Sequence, residues 1–157
     1  MGEILTLDEA IIRREELRQI YQTLVFTNGH FDLLHVGHLD YLEKAAALGD
    51  ALYLGVNNDA STTRLKGQGH PLVPVEERAR MLAALVPVTA VIIFEDDTAD
   101  ALLNSLQPDI YAKGGDYAHK HLPERPTVEA YGGQVALIDF LPGYSTSNLI
   151  AKIKALP

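Results

Sequence analysis

Two hydrophobic periods alternate along this chain. Largely apolar runs, Leu24-Val25-Phe26, Ala51-Leu52-Tyr53-Leu54-Gly55-Val56 and residues 88–94, 110–113 and 134–138, predict five buried strands. Apolar residues at helical spacing separate them. Leu39, Leu42, Ala45 and Ala46 predict a helix over 37–48, ending at Gly49. Met81, Leu82 and Leu85 lie in a second helix, opened by Pro74, with Glu76 and Glu77 at its positive end. Shorter helices are expected over 98–106 and 127–131. A last one, carrying Leu149, Ile150 and Ile153, is capped by Ser145-Thr146-Ser147. Before the first strand, Thr6-Leu7-Asp8-Glu9 has the form of a capping box, and Ile11, Ile12, Leu17 and Ile20 follow as one face of an amphipathic helix. Residues 61–74, with Arg64, Lys66, Gly67, Gly69 and two prolines, read as a mobile loop over a site.

Strand and helix alternating over nearly the whole length predict an α/β fold: a parallel five-stranded sheet with helices on both faces. At 157 residues one domain is expected, with residues 1–22 as an N-terminal helix and 23–157 as the core. Ligands of such sheets sit beyond the carboxyl ends of the strands, where strand order reverses. The polar clusters fall at those ends: residues 27–38, Asn57-Asn58-Asp59, Lys113-Gly114-Gly115-Asp116 and Tyr144-Ser145-Thr146-Ser147.

The first crossover carries the most chemistry. The first strand runs through Asn28-Gly29-His30-Phe31 to His35-Val36-Gly37-His38 at a helix start. A strand, a glycine-bearing turn and a helix N-terminus present free backbone N–H groups to an anion. Gly37 would let a phosphate approach the backbone, and two imidazoles three residues apart would stabilise its charge. A histidine metal site and a pair of packed histidines are the rival meanings of His35 and His38; zinc would need further ligands from His30, Asp32, Asp116 or another histidine.

Composition narrows the choice. The net charge of −8 argues against a nucleic-acid footprint but allows a small anionic ligand in a locally positive pocket. With no cysteine there is neither a thiol nucleophile nor a disulfide framework. No apolar run approaches the roughly 18 residues of a membrane span, and no secretory leader is expected. Gly-x-Gly-x-x-Gly after the first strand, the P-loop pattern and the Gly-x-Ser-x-Gly elbow are all absent, which speaks against a dehydrogenase, a P-loop nucleotidase and a serine hydrolase.

Thr27-Asn28-Gly29-His30-Phe31-Asp32 with His35-Val36-Gly37-His38 resembles the first signature of the His-x-Gly-His nucleotidyltransferases. Gly143-Tyr144-Ser145-Thr146-Ser147 resembles their second, Ser/Thr-rich one. Within that group the resemblance is stronger to the adenylyltransferases of D-glycero-β-D-manno-heptose 1-phosphate. Gly55-Val56-Asn57-Asn58-Asp59-Ala60-Ser61, Arg64-Leu65-Lys66-Gly67, Glu76-Glu77-Arg78 and Lys113-Gly114-Gly115-Asp116-Tyr117 carry it, over roughly residues 4–153. His30 departs from the pattern, standing where those enzymes usually have cysteine and the glycerol-phosphate cytidylyltransferases threonine. The cytidylyltransferases also carry an arginine shortly before the second signature, and Asp139-Phe140-Leu141-Pro142 offers none.

The resemblance implies a Rossmann-like core and transfer of a nucleoside monophosphate from ATP to a sugar 1-phosphate with loss of pyrophosphate. It implies His35, His38 and Lys66 as the catalytic residues, with Lys66 closing over the reacting phosphates. Thr27, Asn28, Gly29, His30, Phe31, Gly37, Arg78, Lys113, Gly115, Asp116, Tyr144, Ser145 and Thr146 would bind nucleotide, and Asp32, Asn57 and Asp59 the acceptor. It further implies Mg²⁺ bridging the phosphates with few protein ligands, small-molecule substrates, a cytoplasmic location, a homodimer, and a transferase standing alone where relatives are often fused to a sugar kinase. Two alternatives stay open: a cytidylyltransferase acting on glycerol 3-phosphate or a related polyol phosphate, and a non-catalytic nucleotide-binding module.

Overall fold

A computed structural model describes residues 1–157. Six parallel strands form one sheet: β1 (Glu3–Leu5), β2 (Leu24–Gly29), β3 (Ala51–Asn57), β4 (Ala90–Phe94), β5 (Ile110–Gly114) and β6 (Gln134–Ile138), in the order β1-β4-β3-β2-β5-β6. The central strands read as unbroken apolar runs because both their faces are covered. Val25, Leu52, Leu54 and Val91 point to a layer holding α2 (Val36–Ala46) and α4 (Val75–Ala83). Leu24, Phe26, Tyr53, Ile92 and Tyr111 point the other way, onto α1 (Leu7–Gln19), α5 (Asp100–Leu106) and α6 (Arg125–Ala130).

From β2 the chain steps to β3 and β4 on one side, then returns to place β5 on the other side of β2. The reversal opens a crevice at the carboxyl ends of β2 and β5. A 3₁₀ turn (Gly115–Ala118) follows β5, and α7 (Thr146–Lys154) closes the chain.

Three expectations are corrected. The sheet has six strands, not five: residues 3–5 pair with β4 at the edge, so the first 22 residues contribute a strand as well as a helix. Of residues 61–74, expected as loop, 61–66 belong to helix α3 (Asp59–Lys66), started by the Asn58 side chain accepting from the Ser61 amide. Helix α1 has the expected Thr6–Glu9 capping box, but its docking face is not the aliphatic one. Ile11, Ile12 and Ile20 are exposed, while Ala10 and Arg14 are buried. Arg14 reaches the end of α5, donating to the carbonyls of Leu106 and Gln107 and pairing with Asp109 at 3.0 Å. These carbonyls are the negative end of a helix, which a guanidinium satisfies better than an isoleucine.

Candidate active site

The crevice holds a cavity of about 450 Å³. Its floor is the turn after β2. Asn28 and Gly29 end the strand, and Phe31 then takes a left-handed conformation (φ 50°), costly for a bulky residue and found where a functional turn is over-determined by its surroundings. The Phe31 ring is buried, in the core and 5.6 Å from the His38 ring.

Spacing fixes the chemistry of the histidine pair. His35 is the N-cap of α2, and its Nδ1 accepts the Gly37 amide at 3.1 Å; His38 Nδ1 reaches back to the His35 amide at 3.4 Å. The two rings stack with centroids 3.9 Å apart. A backbone amide can only donate, so each Nδ1 must be unprotonated and each neutral ring carries its proton on Nε2, at the edge away from the cap. Burial lowers the pKa of both, and for His38, which also feels His35, to about 4. Near pH 7 the site thus offers two neutral, pre-oriented N–H donors.

Gly37, which lines the cavity, also makes room for these rings. A Cβ there would lie 2.9 Å from the His35 ring and 2.9 Å from Cβ of Tyr144, so only glycine lets the second signature close against the first. Gly114 acts likewise beneath Phe140, whose ring occupies the space a side chain would need.

The walls are cationic although the chain is acidic. Lys66, at the end of α3, lines the cavity, as does Lys113 of β5. Lys113 Nζ lies 5.7 Å from the ring centres of Tyr111 and Tyr117 and donates to the carbonyl and the side-chain oxygen of Asn28 at 3.3 and 3.4 Å. Burial pulls its pKa below the usual lysine range, opposed by Glu124 and Asp116. The lining carboxylate, Asp116, is paired with Lys120 at 3.0 Å. Opposite, Ser145 caps α7, so the amides of its first turn face the cavity with Tyr144, Thr146 and Ser147. This nine-residue helix start is a second cradle for an anion.

Of the residues singled out from the sequence, Asn28, Gly29, His30, Phe31, His35, Gly37, His38, Lys66, Lys113, Asp116, Tyr144, Ser145 and Thr146 line this cavity. Six do not. Thr27 is fully buried, its hydroxyl bonded to Tyr41 at 2.9 Å. Gly115 packs on Asp139. Asn57 is spent on Ser61 and the Asp96 carbonyl. Asp32 accepts the amides of Leu72 (2.8 Å) and Val73 (2.9 Å) and pairs with His70 at 3.2 Å. Burial alone would raise its pKa; the Leu72, Val73 and His70 bonds and the nearby Arg78 charge outweigh it and the net direction is down.

Arg78 is the largest revision. It is fully buried and donates to the carbonyls of Val73 (2.8 Å), His30 (2.6 Å) and Asn57 (2.9 Å), and pairs with Asp59 at 2.7 Å. A guanidinium with four internal acceptors has little left for a phosphate; Arg78 and Asp59 instead fasten the ends of β2 and β3 together. Arg64 is likewise committed to Asp97. Conversely, Tyr41, Gly114, Tyr117, Phe140, Leu141 and Ser147 line the cavity without having been assigned a binding role. Tyr41 was within reach of the sequence, three residues after His38 on the same helix face.

An anion cradle where the strand order of a parallel α/β sheet reverses, with imidazole donors and two lysines, defines a nucleotide-handling α/β protein. The chain belongs to the cytidylyltransferase-like family, whose model matches residues 26–151. It is 49% identical to the bifunctional protein HldE of Syntrophotalea carbinolica over 95% of this chain and 32% of that protein. It is 47% identical to HldE of Methylobacillus flagellatus over 96% of this chain and 31% of that one. The chain thus spans about a third of the length of these relatives. Among solved structures it resembles a lipopolysaccharide core biosynthesis protein from Thermoplasma volcanium (27% identity, TM-score 0.63, covering 76% of this chain and 97% of that one). A pantoate–β-alanine ligase from Francisella tularensis, at 15% identity and TM-score 0.64 over 100% of this chain and 80% of that one, shares the fold.

Proposed function

We propose that this chain transfers AMP from ATP to D-glycero-β-D-manno-heptose 1-phosphate, giving ADP-heptose and pyrophosphate. The observation that carries the reading is the reciprocal capping of His35 and His38, which holds two Nε2–H donors at the end of β2 beside Lys66 and Lys113. Similarity to the HldE proteins over nearly the whole chain points to the heptose substrate, and the absence of an arginine ahead of Gly143 to adenine rather than cytosine.

The attacking sugar phosphate oxygen is already anionic near neutral pH, so the reaction needs no protein nucleophile and no strong base. It needs positioning, and neutralisation of charge on the five-coordinate α-phosphorus. His35 and His38 donate to oxygens of that phosphate, while Lys66 approaches from the end of α3. The first turn of α7 takes the β- and γ-phosphates through its amides and the hydroxyls of Ser145 and Thr146. Lys113, Tyr117 and Phe140 border the base. No group of three or more His, Cys, Asp or Glu stands ready to hold a metal, and Asp116 is paired with Lys120. A Mg²⁺ ion fits this lining when carried by phosphate oxygens and water; when bound it supplies charge neutralisation across the triphosphate. No helix is long and apolar enough to cross a membrane, and water-soluble substrates fit a cytoplasmic enzyme.

The test is a panel of ATP, CTP and GTP, each with heptose 1-phosphate and with glycerol 3-phosphate, read by pyrophosphate release. Release with ATP and heptose 1-phosphate supports the reading. Preference for CTP with glycerol 3-phosphate replaces it with a polyol-phosphate cytidylyltransferase, and nucleotide binding without release in any combination reduces the chain to a binding module.

A further inference from the structure

His30 is the third imidazole of the cavity, and no backbone amide fixes its proton. Its Nδ1 lies 2.9 Å from the hydroxyl of Thr62, a fully buried residue of α3. A hydroxyl can donate or accept, so this contact alone leaves the tautomer open. The neighbours decide it. The other acceptor within reach of the Thr62 hydroxyl is the Asn57 carbonyl, at 3.5 Å, the outer limit of a hydrogen bond. That contact is much longer than the 2.9 Å between the hydroxyl and His30 Nδ1, so the shorter one takes the proton. The hydroxyl proton therefore goes to His30 Nδ1, and the ring proton is left on Nε2.

We propose that Thr62 is a positioning residue: its hydroxyl holds His30 as the Nε2–H tautomer, so that His30 adds a third neutral N–H donor, beside those of His35 and His38, for a phosphate oxygen of a substrate. The ligand class rests on the phosphate-handling reading above; the tautomer does not. The charged groups around His30 agree with an anionic partner. Burial, then Lys66 of α3, Arg78 of α4 and Lys113 of β5, push its pKa down to about 4, with only Asp32 opposing. His30 is thus neutral near pH 7 and its donor does not switch off as pH rises. Carboxylates are scarce here: Asp32 is engaged by Leu72, Val73 and His70, and Asp59 by Arg78.

The experiment uses protein labelled with ¹⁵N in its histidine rings, and long-range ¹H–¹⁵N spectra at pH 7 with His30 assigned by its absence in His30→Asn. Without ligand, wild type should show a protonated Nε2 and a pyridine-like Nδ1 at His30; the reverse pattern overturns the proposal. Thr62→Val, of nearly equal shape, should shift His30 toward the Nδ1–H form, and Thr62→Ser should restore the wild-type pattern. An unchanged tautomer in folded Thr62→Val also overturns it. Addition of MgATP and of sugar 1-phosphate in separate samples identifies the partner: the arm that moves the Nε2 signal is the one whose phosphate it contacts, and movement in neither overturns the phosphate contact. The Michaelis constant of that substrate should rise on the order of tenfold in Thr62→Val, as for one lost hydrogen bond, and recover in Thr62→Ser. If the signal moves but the panel gives no pyrophosphate, the reaction assigned above is wrong and the role of Thr62 stands.

Discussion

Arg78 separates two ways in which a residue can matter to this site. As a phosphate ligand its replacement would raise the Michaelis constant for ATP and leave the fold alone. The structure instead gives it four internal partners at 2.6–2.9 Å and no exposure, so Arg78→Lys should act first on stability. A lysine ammonium has no planar fork and reaches at most one or two of these acceptors. It leaves at least two carbonyls or the Asp59 carboxylate without a donor. An orphaned buried acceptor costs about 1–3 kcal/mol, and breaking a buried charged network about 3–5 kcal/mol. For a domain of this size about 1 kcal/mol corresponds to roughly 2–4 °C, so the midpoint of thermal unfolding should fall by roughly 6–20 °C. The assay is thermal and urea unfolding of wild type, Arg78→Lys and Arg78→Met, with ATP-analogue binding measured well below the variants' midpoints. Unchanged midpoints together with a large loss of nucleotide affinity would refute the assignment and return Arg78 to the phosphates.

Other expectations follow from the same contacts. His38→Ala should lower kcat by on the order of 10²–10³, the loss typical of one preorganised donor, and cost about 1 kcal/mol of stability through the lost cap; near-normal turnover in the folded variant removes His38 from the chemistry. Asp32→Ala frees the amides of Leu72 and Val73, so it should cost roughly 2–4 kcal/mol and speed proteolytic cleavage within residues 67–73; an unaltered digestion pattern would show that the clasp does not hold that segment. Acid should destabilise the fold over a defined window. His30 and His38 are held at about 4 against an ordinary 6.5, so between those values the unfolded chain binds more protons than the folded one. Stability is then complete above about pH 6.5 and is lost as pH falls toward 4. The loss is on the order of 2 kcal/mol after solvent screening. Urea midpoints should show the decline, a His38→Gln variant should reduce it by about half, leaving the share of His30, and a midpoint constant from pH 7 to 4.5 would contradict the neutral histidines.

The sheet core and the first crossover were legible because their signals are local. A strand buried on both faces reads as a largely apolar run, and a glycine-bearing turn with two histidines at a helix start marks an anion site; that the histidines cap the helix and stack on each other came from the structure. What escaped was set by partners distant in sequence. Residues 3–5 are too few to show a period, and they form a strand only because β4 offers them an edge. Helix α3 carries little apolar character; Asn58 starts it, and burial of Ser61 and Thr62 against the ends of the central strands keeps it in place. Arg78 looks like one surface cation among several until β2, β3 and residues 67–74 close around it. The same long-range closure hides the role of Thr62, 32 residues from the ring it orients.

The central claim concerns place: the triphosphate lies across the turn between β2 and α2, with its α-phosphate against the paired imidazoles. A crystal structure with a non-hydrolysable ATP analogue and Mg²⁺ tests it most directly. The account predicts α-phosphate oxygens within hydrogen-bonding distance of Nε2 of His35 and His38, with the β- and γ-phosphates at the first turn of α7. A nucleotide bound elsewhere, or phosphates remote from both histidines, would contradict it.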